Sequence, residues 1–164
     1  MFFQFEHRVP VAREAVFAFF ENPRRLELLH AGWPEVRVLH CPARVSVGAE
    51  TWVECVIAGC VPLVLGFRHN LFEPPLRFGE RAIHGPFSQF VHVHEFKACG
   101  SGTIVRDLLE IRLPWHYGGE TVSSIAVAGV VKRMFGRRAH ALSRLAADGA
   151  LAGCALPESR LEGN

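Results

Sequence analysis

The chain lacks the features that mark several common classes of protein. Its 164 residues contain no glycine-rich phosphate loop and no Ser or Cys nucleophile with a base at a recognised spacing. The formal net charge is only +2, which is too weak to indicate nucleic-acid binding. The longest apolar run, residues 56–67, contains two glycines and a proline and is far shorter than the ~20 residues that cross a bilayer. We therefore expect neither nucleic-acid binding nor membrane insertion.

Paired cysteines and a secretion signal are also missing. The five cysteines are odd in number and show no C-x-x-C spacing, so we expect reduced thiols in a cytoplasmic protein. The first residues have no basic region followed by an apolar run, so no signal peptide is predicted. The hydrophobic and charged fractions, 49% and 21%, are those of an ordinary globular domain. Thirteen Phe against one Tyr indicate aromatic residues that fill space without needing hydrogen-bond partners.

The pattern of apolar residues predicts an α+β domain. Short turns between successive strands favour an antiparallel meander, and a long final helix must lie across the sheet to cover its apolar stripe. The predicted elements are a strand at 2–9, helices at 11–20 and 23–29, strands at 35–41, 50–58, 62–72, 76–84, 87–98 and 103–113, and a helix at 120–147. Residues 1–147 are predicted to form a single domain and residues 148–164 a flexible tail.

The most informative stretch runs from His84 to Ala98. A Gly-Pro corner opens a strand whose one face carries Phe90, His92, His94 and Phe96. Such a face is too apolar to be freely solvated and too polar to be ordinary core. It indicates the wall of a cavity.

Cross-strand register predicts where the polar residues meet. Two simple hairpins, one closed by residues 99–102 and one by residues 74–75, bring polar residues of neighbouring strands opposite one another. The predicted pairs are His94 with Asp107, His92 with Leu109 and, if Phe72 pairs with Arg77, His69 with Glu80. The result is an inward polar cluster of His69, Glu80, His92, His94 and Asp107.

Three interpretations of this cluster remain open. The first is a structural set of buried imidazole–carboxylate pairs. The second is a set of polar anchors for a ligand in a cavity lined by Phe. The third is a metal or catalytic site, although no specific motif places a further ligand. The basic pairs 24–25, 132–133 and 137–138 are predicted to lie on solvated helix faces.

Several short motifs follow one another in a recognisable order. They are Val16–Phe20, Asn22-Pro23, Leu26, Glu73–Pro75 with Phe78, Gly85–Phe87, the spaced Phe90, His92, His94 and Phe96, Gly102-Thr103, Asp107, Leu113-Pro114, and Phe135-x-x-Arg138. Over about residues 2–145 this order resembles the START-like superfamily, also called SRPBCC or birch-pollen-allergen-like, and in particular a bacterial ligand-binding branch often labelled cyclase/dehydrase-like. Phe90 departs from the usual Trp of these relatives and Glu80 from their usual Asp.

The resemblance implies a helix-grip fold, in which a seven-stranded antiparallel sheet curls around the C-terminal helix. It also implies a hydrophobic pocket for lipids, polyketides or other apolar metabolites. Two short helices after the first strand agree with this arrangement.

Two functions follow, and the first is preferred because no nucleophile or cofactor motif is present. One is a carrier or sensor of a small hydrophobic ligand. The other is a cyclase or dehydratase acting on an aromatic polyketide-type substrate, with His92 or His94 as general base oriented by Asp107. No catalytic residue, metal or cofactor is assigned. The predicted ligand-binding residues are Phe67, His69, Phe78, Glu80, Phe90, His92, His94, Phe96, Asp107, Leu109, Ile111 and Phe135.

Overall fold

The computed structural model describes residues 1–30, 32–57, 61–116 and 119–154. The strands are β1 Phe2–Val9, β2 Glu35–His40, β3 Glu50–Ile57, β4 Val61–Glu73, β5 Arg77–His84, β6 Gln89–Cys99 and β7 Gly102–Arg112. The α-helices are α1 Arg13–Phe20, α2 Leu26–Leu29 and α3 Gly119–Ala147, with single 3₁₀ turns at Pro23–Arg25 and Ala152–Cys154. Every predicted element is present, with ends shifted by one or two residues.

One antiparallel sheet contains all seven strands in the order β1-β7-β6-β5-β4-β3-β2. Each strand from β2 to β7 pairs with the next along the chain, and β1 closes the series against β7. The long helix α3 lies on the inward face, where the Phe135 ring stacks on Phe5 of β1 at a centroid distance of 4.4 Å. The fold is therefore the helix-grip arrangement that the sequence predicts.

The β6–β7 hairpin has the predicted register. Ala98 pairs with Thr103, and the same register places His94 opposite Asp107 and His92 opposite Leu109. Gly100 takes a φ of +60° in the connecting turn, a conformation that costs glycine little.

The β4–β5 hairpin contains the predicted pair of His69 and Glu80, but its register at the turn differs from the predicted one. Phe72 pairs with Phe78 rather than with Arg77, so the register assumed at the turn is wrong. The pairing shifts between His69 and Leu71, because a β-bulge inserts one extra residue on one strand. The shift restores the predicted pair of His69 with Glu80.

The segment after α3 differs in part from the flexible tail that the sequence predicts. Residues 148–154 fold back against α1, and Leu151 is fully buried in the core around Phe17 and Phe19. A backbone N–H of Ala150 donates to the carbonyl of Leu145 and fastens this turn to the helix end. Burial of an apolar side chain thus orders the start of the segment, whereas residues 155–164 lie outside the described part.

The described helices and thiols relate to two expectations from the sequence, the absence of membrane insertion and the presence of reduced cysteines. None of these helices is both long and apolar enough to cross a membrane. Four described cysteines have free thiols, of which only Cys55 is buried and the other three are half-buried. Cys60 lies outside the described residues.

Candidate functional site

The inward faces of β4, β5, β6 and β7 bring the predicted polar cluster together. Strand pairing places Glu80 opposite both His69 and His92, and His94 opposite Asp107. The three imidazoles and Asp107 are buried, and Glu80 is partly buried. These side chains share the inward face because every second side chain of a strand points to the same side of the sheet.

Asp107 is the anionic centre of one half of the cluster. Its Oδ1 accepts a hydrogen bond from Nε2 of His92 at 3.0 Å. Nδ1 of His94 lies 2.6 Å from the same oxygen, but its alignment does not make a hydrogen bond. The guanidinium of Arg138, from α3, lies 3.9 Å away. One carboxylate oxygen therefore faces two imidazoles and one permanent cation.

Glu80 occupies the other half of the cluster. Its Oε1 lies 3.6 Å from Nδ1 of His92 and its Oε2 lies 3.7 Å from Nδ1 of His69. Both separations exceed the usual hydrogen-bond range. On the far side of its ring, His69 Nε2 is 3.1 Å from the hydroxyl of Thr51. Nδ1 of His69 consequently has no hydrogen-bond partner, although its ring is buried.

The two carboxyl groups of the cluster are ionised. Burial by itself would raise the pKa of Glu80, but the surrounding imidazoles, His92 first, outweigh it and lower the pKa to about 2. Burial opposes ionisation of Asp107 as well, yet the Arg138 guanidinium and the two neighbouring imidazoles hold its pKa well below the usual range. Both groups thus carry negative charge at neutral pH although Asp107 is buried and Glu80 is partly buried.

The imidazoles of the cluster differ from one another. Burial would lower the pKa of His92, but the neighbouring carboxylates of Asp107 and Glu80 raise it above the ordinary value. Burial and the neighbouring His92 lower the pKa of His94 to about 4. Burial, together with Arg138 and His92, lowers the pKa of His30 to about 3. His94 and His30 are therefore neutral at pH 7.

A cavity of about 60 Å³ opens beside the cluster. Its polar wall consists of Asn22, Arg25, Thr51, His69, Glu80, His94 and Arg138, and its apolar wall of Phe19, Phe20, Pro23, Leu26, Leu29, Val45, Phe67 and Phe78. The cluster is thus not sealed behind Phe side chains, because three of its five members face open space.

A second cavity, of about 210 Å³, lies between α3 and the β1–β7 edge of the sheet. It is lined by Asp107 and Phe135 among the predicted residues. Phe20, Leu29 and Arg138 line both cavities and separate them.

Five predicted ligand-binding residues lie along neither of these cavities. Leu109 and Ile111 pack with Val131 and Phe135 under α3, and Phe96 packs against Phe17 at a centroid distance of 5.3 Å. The helices cover this part of the aromatic face, so close packing replaces the expected void.

Phe90 is the fourth of these residues. Its ring packs on Phe67 at 5.2 Å and on Phe87 at 5.0 Å. His92 also lines neither cavity and reaches the site only through Glu80 and Asp107.

Three residues near the site were not predicted from the sequence. Arg138 was predicted to lie on a solvated face, but it is only 7% exposed, packs over the Phe135 ring and faces Asp107. Its place in the Phe135-x-x-Arg138 motif was a signal that could have found it. Thr51 and His30 carry no such signal, because they reach the site from β3 and the end of α2 through tertiary packing.

Glu80, His92 and His94 are the described residues whose donor atoms converge closely enough to hold a metal ion. One donor atom from each lies within 4.8 Å of the other two. This arrangement was only one of three interpretations open from the sequence.

Comparison with solved structures places the fold in a wide group. A protein from Thermus thermophilus, TTHA0849, has a TM-score of 0.65 and 19% identity over 93% of this chain and 99% of that one. The Zhui aromatase/cyclase from Streptomyces sp. R1128 has a TM-score of 0.70 and 12% identity over 95% and 99%. Ara h 8.0201 has a TM-score of 0.65 and 12% identity over 90% and 98%. No family model and no curated protein matches the chain.

The chain therefore shares its overall fold with these proteins, in line with the helix-grip fold that the sequence resemblance implies. At identities below 20% the likeness establishes architecture, and function has to be argued from the site.

Proposed function

We propose that the protein binds a small, mainly apolar molecule that carries a hydrogen-bonding group, in the cavity beside the polar cluster. The observation that carries the proposal is the mixed lining of the cavity. Phe19, Phe20, Phe67 and Phe78 line the same space as Thr51, His69, Glu80 and His94. An apolar wall with a few convergent polar groups is typical of small-molecule sites.

Cavity size limits what fits without movement. A volume of about 60 Å³ holds a few water molecules, whereas sites for drug-sized ligands have roughly 300–1,000 Å³. Displacement of Phe20 and Arg138 would join the two cavities, because both side chains line each of them. Binding of a larger ligand therefore requires these side chains, or α2 beside them, to move.

The first test asks whether the site takes apolar molecules. Native mass spectrometry of the gently purified protein should show a bound small molecule, and the environment-sensitive dye anilinonaphthalene sulfonate should bind with one-to-one stoichiometry and be displaced by that molecule. Dye binding that appears only on partial unfolding, together with an unliganded mass, would contradict the proposal.

A matched pair of variants on α2 locates the binding. Leu26 lines the cavity, whereas Leu28 is 51% exposed on the same short helix. Leu26→Trp fills the space and should weaken dye or ligand binding at least tenfold, and Leu28→Trp should leave it unchanged. Equal binding by both variants would place the ligand elsewhere.

A cyclase or dehydratase is the second candidate, favoured by one observation. His94 lines the cavity and its Nδ1 lies 2.6 Å from Asp107, the relation of an imidazole to an orienting carboxylate. The Zhui protein of similar fold is named an aromatase/cyclase. The low pKa of His94, about 4, makes it a weak general base at neutral pH, so binding is the better-supported function.

The two candidates are separable by one variant. With an aromatic polyketide-type substrate followed by mass spectrometry, an enzyme should convert it and lose at least a hundredfold in kcat on His94→Ala while retaining substrate binding. A binding protein should return the substrate unchanged.

A further inference from the structure

Asp107 holds two neighbouring imidazoles by one nitrogen each. Its Oδ1 lies 3.0 Å from Nε2 of His92 and 2.6 Å from Nδ1 of His94. The second nitrogen of each ring remains available on the side away from this carboxylate. A carboxylate that orients a histidine by one ring nitrogen is the usual companion of a histidine that binds metal by the other.

Glu80 stands at a distance that suits a shared ion better than a hydrogen bond. Its Oε1 lies 3.6 Å from Nδ1 of His92 and its Oε2 lies 3.7 Å from Nδ1 of His69. Two donors at ~2.0–2.1 Å from one tetrahedral ion lie about 3.4 Å apart. Both separations exceed a good hydrogen bond by several tenths of an ångström, and the 3.6 Å between Glu80 and His92 approaches this ligand–ligand edge.

One buried nitrogen of the cluster, Nδ1 of His69, has no hydrogen-bond partner, although this residue is only 3% exposed. It lies 3.7 Å from Oε2 of Glu80. Buried polar atoms are nearly always satisfied, and exceptions call for a cause such as an ion or a bound group. A purely structural network does not account for this nitrogen, which faces the carboxylate of Glu80.

We propose that Glu80, His92 and His94 bind a divalent first-row transition ion of the zinc type, with an open coordination position directed towards the cavity. Glu80 and His94 line the cavity, so a water or the polar group of a ligand can complete the coordination shell. Two imidazoles and one carboxylate form a donor set suited to Zn²⁺ or Fe²⁺. Calcium and magnesium prefer oxygen donors alone.

Three further residues complete the arrangement as positioning groups. Asp107 orients both imidazoles, and Arg138 lies 3.9 Å from this carboxylate. Thr51 binds Nε2 of His69 and turns the other nitrogen of this ring towards Glu80. His69 therefore steadies the carboxylate that binds the ion.

The test is metal binding by the full chain after removal of bound metal with EDTA. Isothermal titration with Zn²⁺ should show one site, and Co²⁺ should give the visible absorption of a tetrahedral or five-coordinate nitrogen–oxygen site. A titration without a specific site, or a Co²⁺ spectrum of the aqueous ion, would overturn the proposal.

Two variants test the proposed ligand set, so the result does not depend on a single variant that fails to fold. Glu80→Gln keeps the size of the side chain and should raise the Kd for Zn²⁺ at least tenfold and change the Co²⁺ spectrum. Asp107→Asn should raise the Kd by roughly 10–100-fold, the usual effect of losing an orienting partner. Circular dichroism of each variant confirms that it is folded before titration, and unchanged affinity in folded Glu80→Gln would exclude this site.

A histidine pair outside the cluster provides the control. His7 and His140 lie near each other; His140 is exposed, whereas His7 is half-buried, lines the larger cavity and has Nε2 2.8 Å from the hydroxyl of Ser143. The double variant His7→Asn/His140→Asn should bind Zn²⁺ and Co²⁺ like the wild type. Loss of binding in this variant alone would assign the ion to this pair and overturn the proposal.

The metal inference goes beyond the proposed ligand binding and is tested apart from it. The metal titrations use no organic molecule, and the dye titrations use protein treated with EDTA. Binding of the dye without binding of an ion would contradict only the metal site. Binding of the ion without binding of an apolar molecule would contradict only the proposed function.

Discussion

The two faces of the sheet both carry ion pairs, and adjacent residues of β7 show how differently those pairs behave. Arg106 points outward, contacts Glu6 at 2.7 Å and Glu95 at 3.3 Å, and its side chain is 39% exposed. Asp107 points inward, lies near His92, His94 and Arg138, and is 8% exposed. Both faces pair acidic with basic groups, but the outer pairs are far more exposed to water than the inner ones.

Solvent decides what each pair contributes. On the outer face, water and salt screen the charges, so loss of one partner leaves the other well solvated. On the inner face, loss of one partner leaves a buried charge without compensation. The outer pairs therefore contribute little to stability, whereas the inner cluster holds the strands and α3 together in one arrangement.

The largest expected effect is that of Asp107→Ala. The change leaves His92, His94 and Arg138 without the carboxylate that they share, and breaking a buried pair in this way costs about 3–5 kcal/mol. Urea unfolding at pH 7 measures the change in the free energy of unfolding. A loss no larger than that of Arg106→Ala would show that the two faces do not differ.

Acid should weaken the inner face through His30. The pKa of this imidazole is lowered by burial to about 3, so the unfolded chain takes up the proton first, near pH 6.5. Stability due to neutral His30 is full above pH 6.5 and is lost towards pH 3, at about 1.4 kcal/mol per pH unit. His30→Asn should reduce the slope of unfolding free energy between pH 6.5 and 4.5.

The control for this prediction is the adjacent buried residue. Leu29, which is 3% exposed, has no titratable group. Leu29→Ala should lower stability at every pH and leave the slope as it is in the wild type. A wild-type slope in His30→Asn would mean that other groups cause the acid sensitivity.

Asp107→Asn should have a smaller effect that depends on pH. The amide still accepts a hydrogen bond from His92 but carries no charge, so the loss at pH 7 should be about 1–3 kcal/mol. The pKa of Asp107 is well below its usual range, so the advantage of the carboxylate is present above pH 4 and shrinks as pH falls below it. The difference in unfolding free energy should therefore stay constant from pH 7 to about pH 4 and narrow by about 1 kcal/mol at pH 3. A difference that does not narrow would exclude charge as the cause.

The smallest expected effect is that of Arg106→Ala on the outer face. Its ion pairs with Glu6 and Glu95 are exposed, so the melting temperature should fall less than in Asp107→Asn. High salt should remove the remaining difference from the wild type. A decrease that persists in high salt would show that Arg106 acts through packing rather than charge.

The sequence predicted the site best where strand register alone determines contacts. His94 and Asp107 face each other because the β6–β7 turn is short and regular. The pair of His69 and Glu80 was predicted from an incorrect turn register and arises through a bulge. Bulges depend on local packing that alternation of residues does not reveal.

Prediction failed where separate elements come together. Leu109 and Ile111 share the inward face with the cluster, yet α3 closes over them through Val131 and Phe135. Arg138 looked like one of several surface cations on the same helix, and only the position of α3 against β7 buries it. The depth to which a helix settles on a sheet depends on the sum of many side-chain contacts.

The sequence by itself determined the order of elements, the antiparallel pairing and the presence of imidazoles and carboxylates on one inward face, because alternation and short turns act over neighbouring residues. The tertiary structure alone decided that Arg138, Thr51 and His30 lie beside the cluster, and that Phe20, Leu29 and Arg138 lie between the two cavities described above. The physical reason is that volume and charge compensation in the interior are set by segments far apart in the chain, which meet only when the sheet curls around the helix.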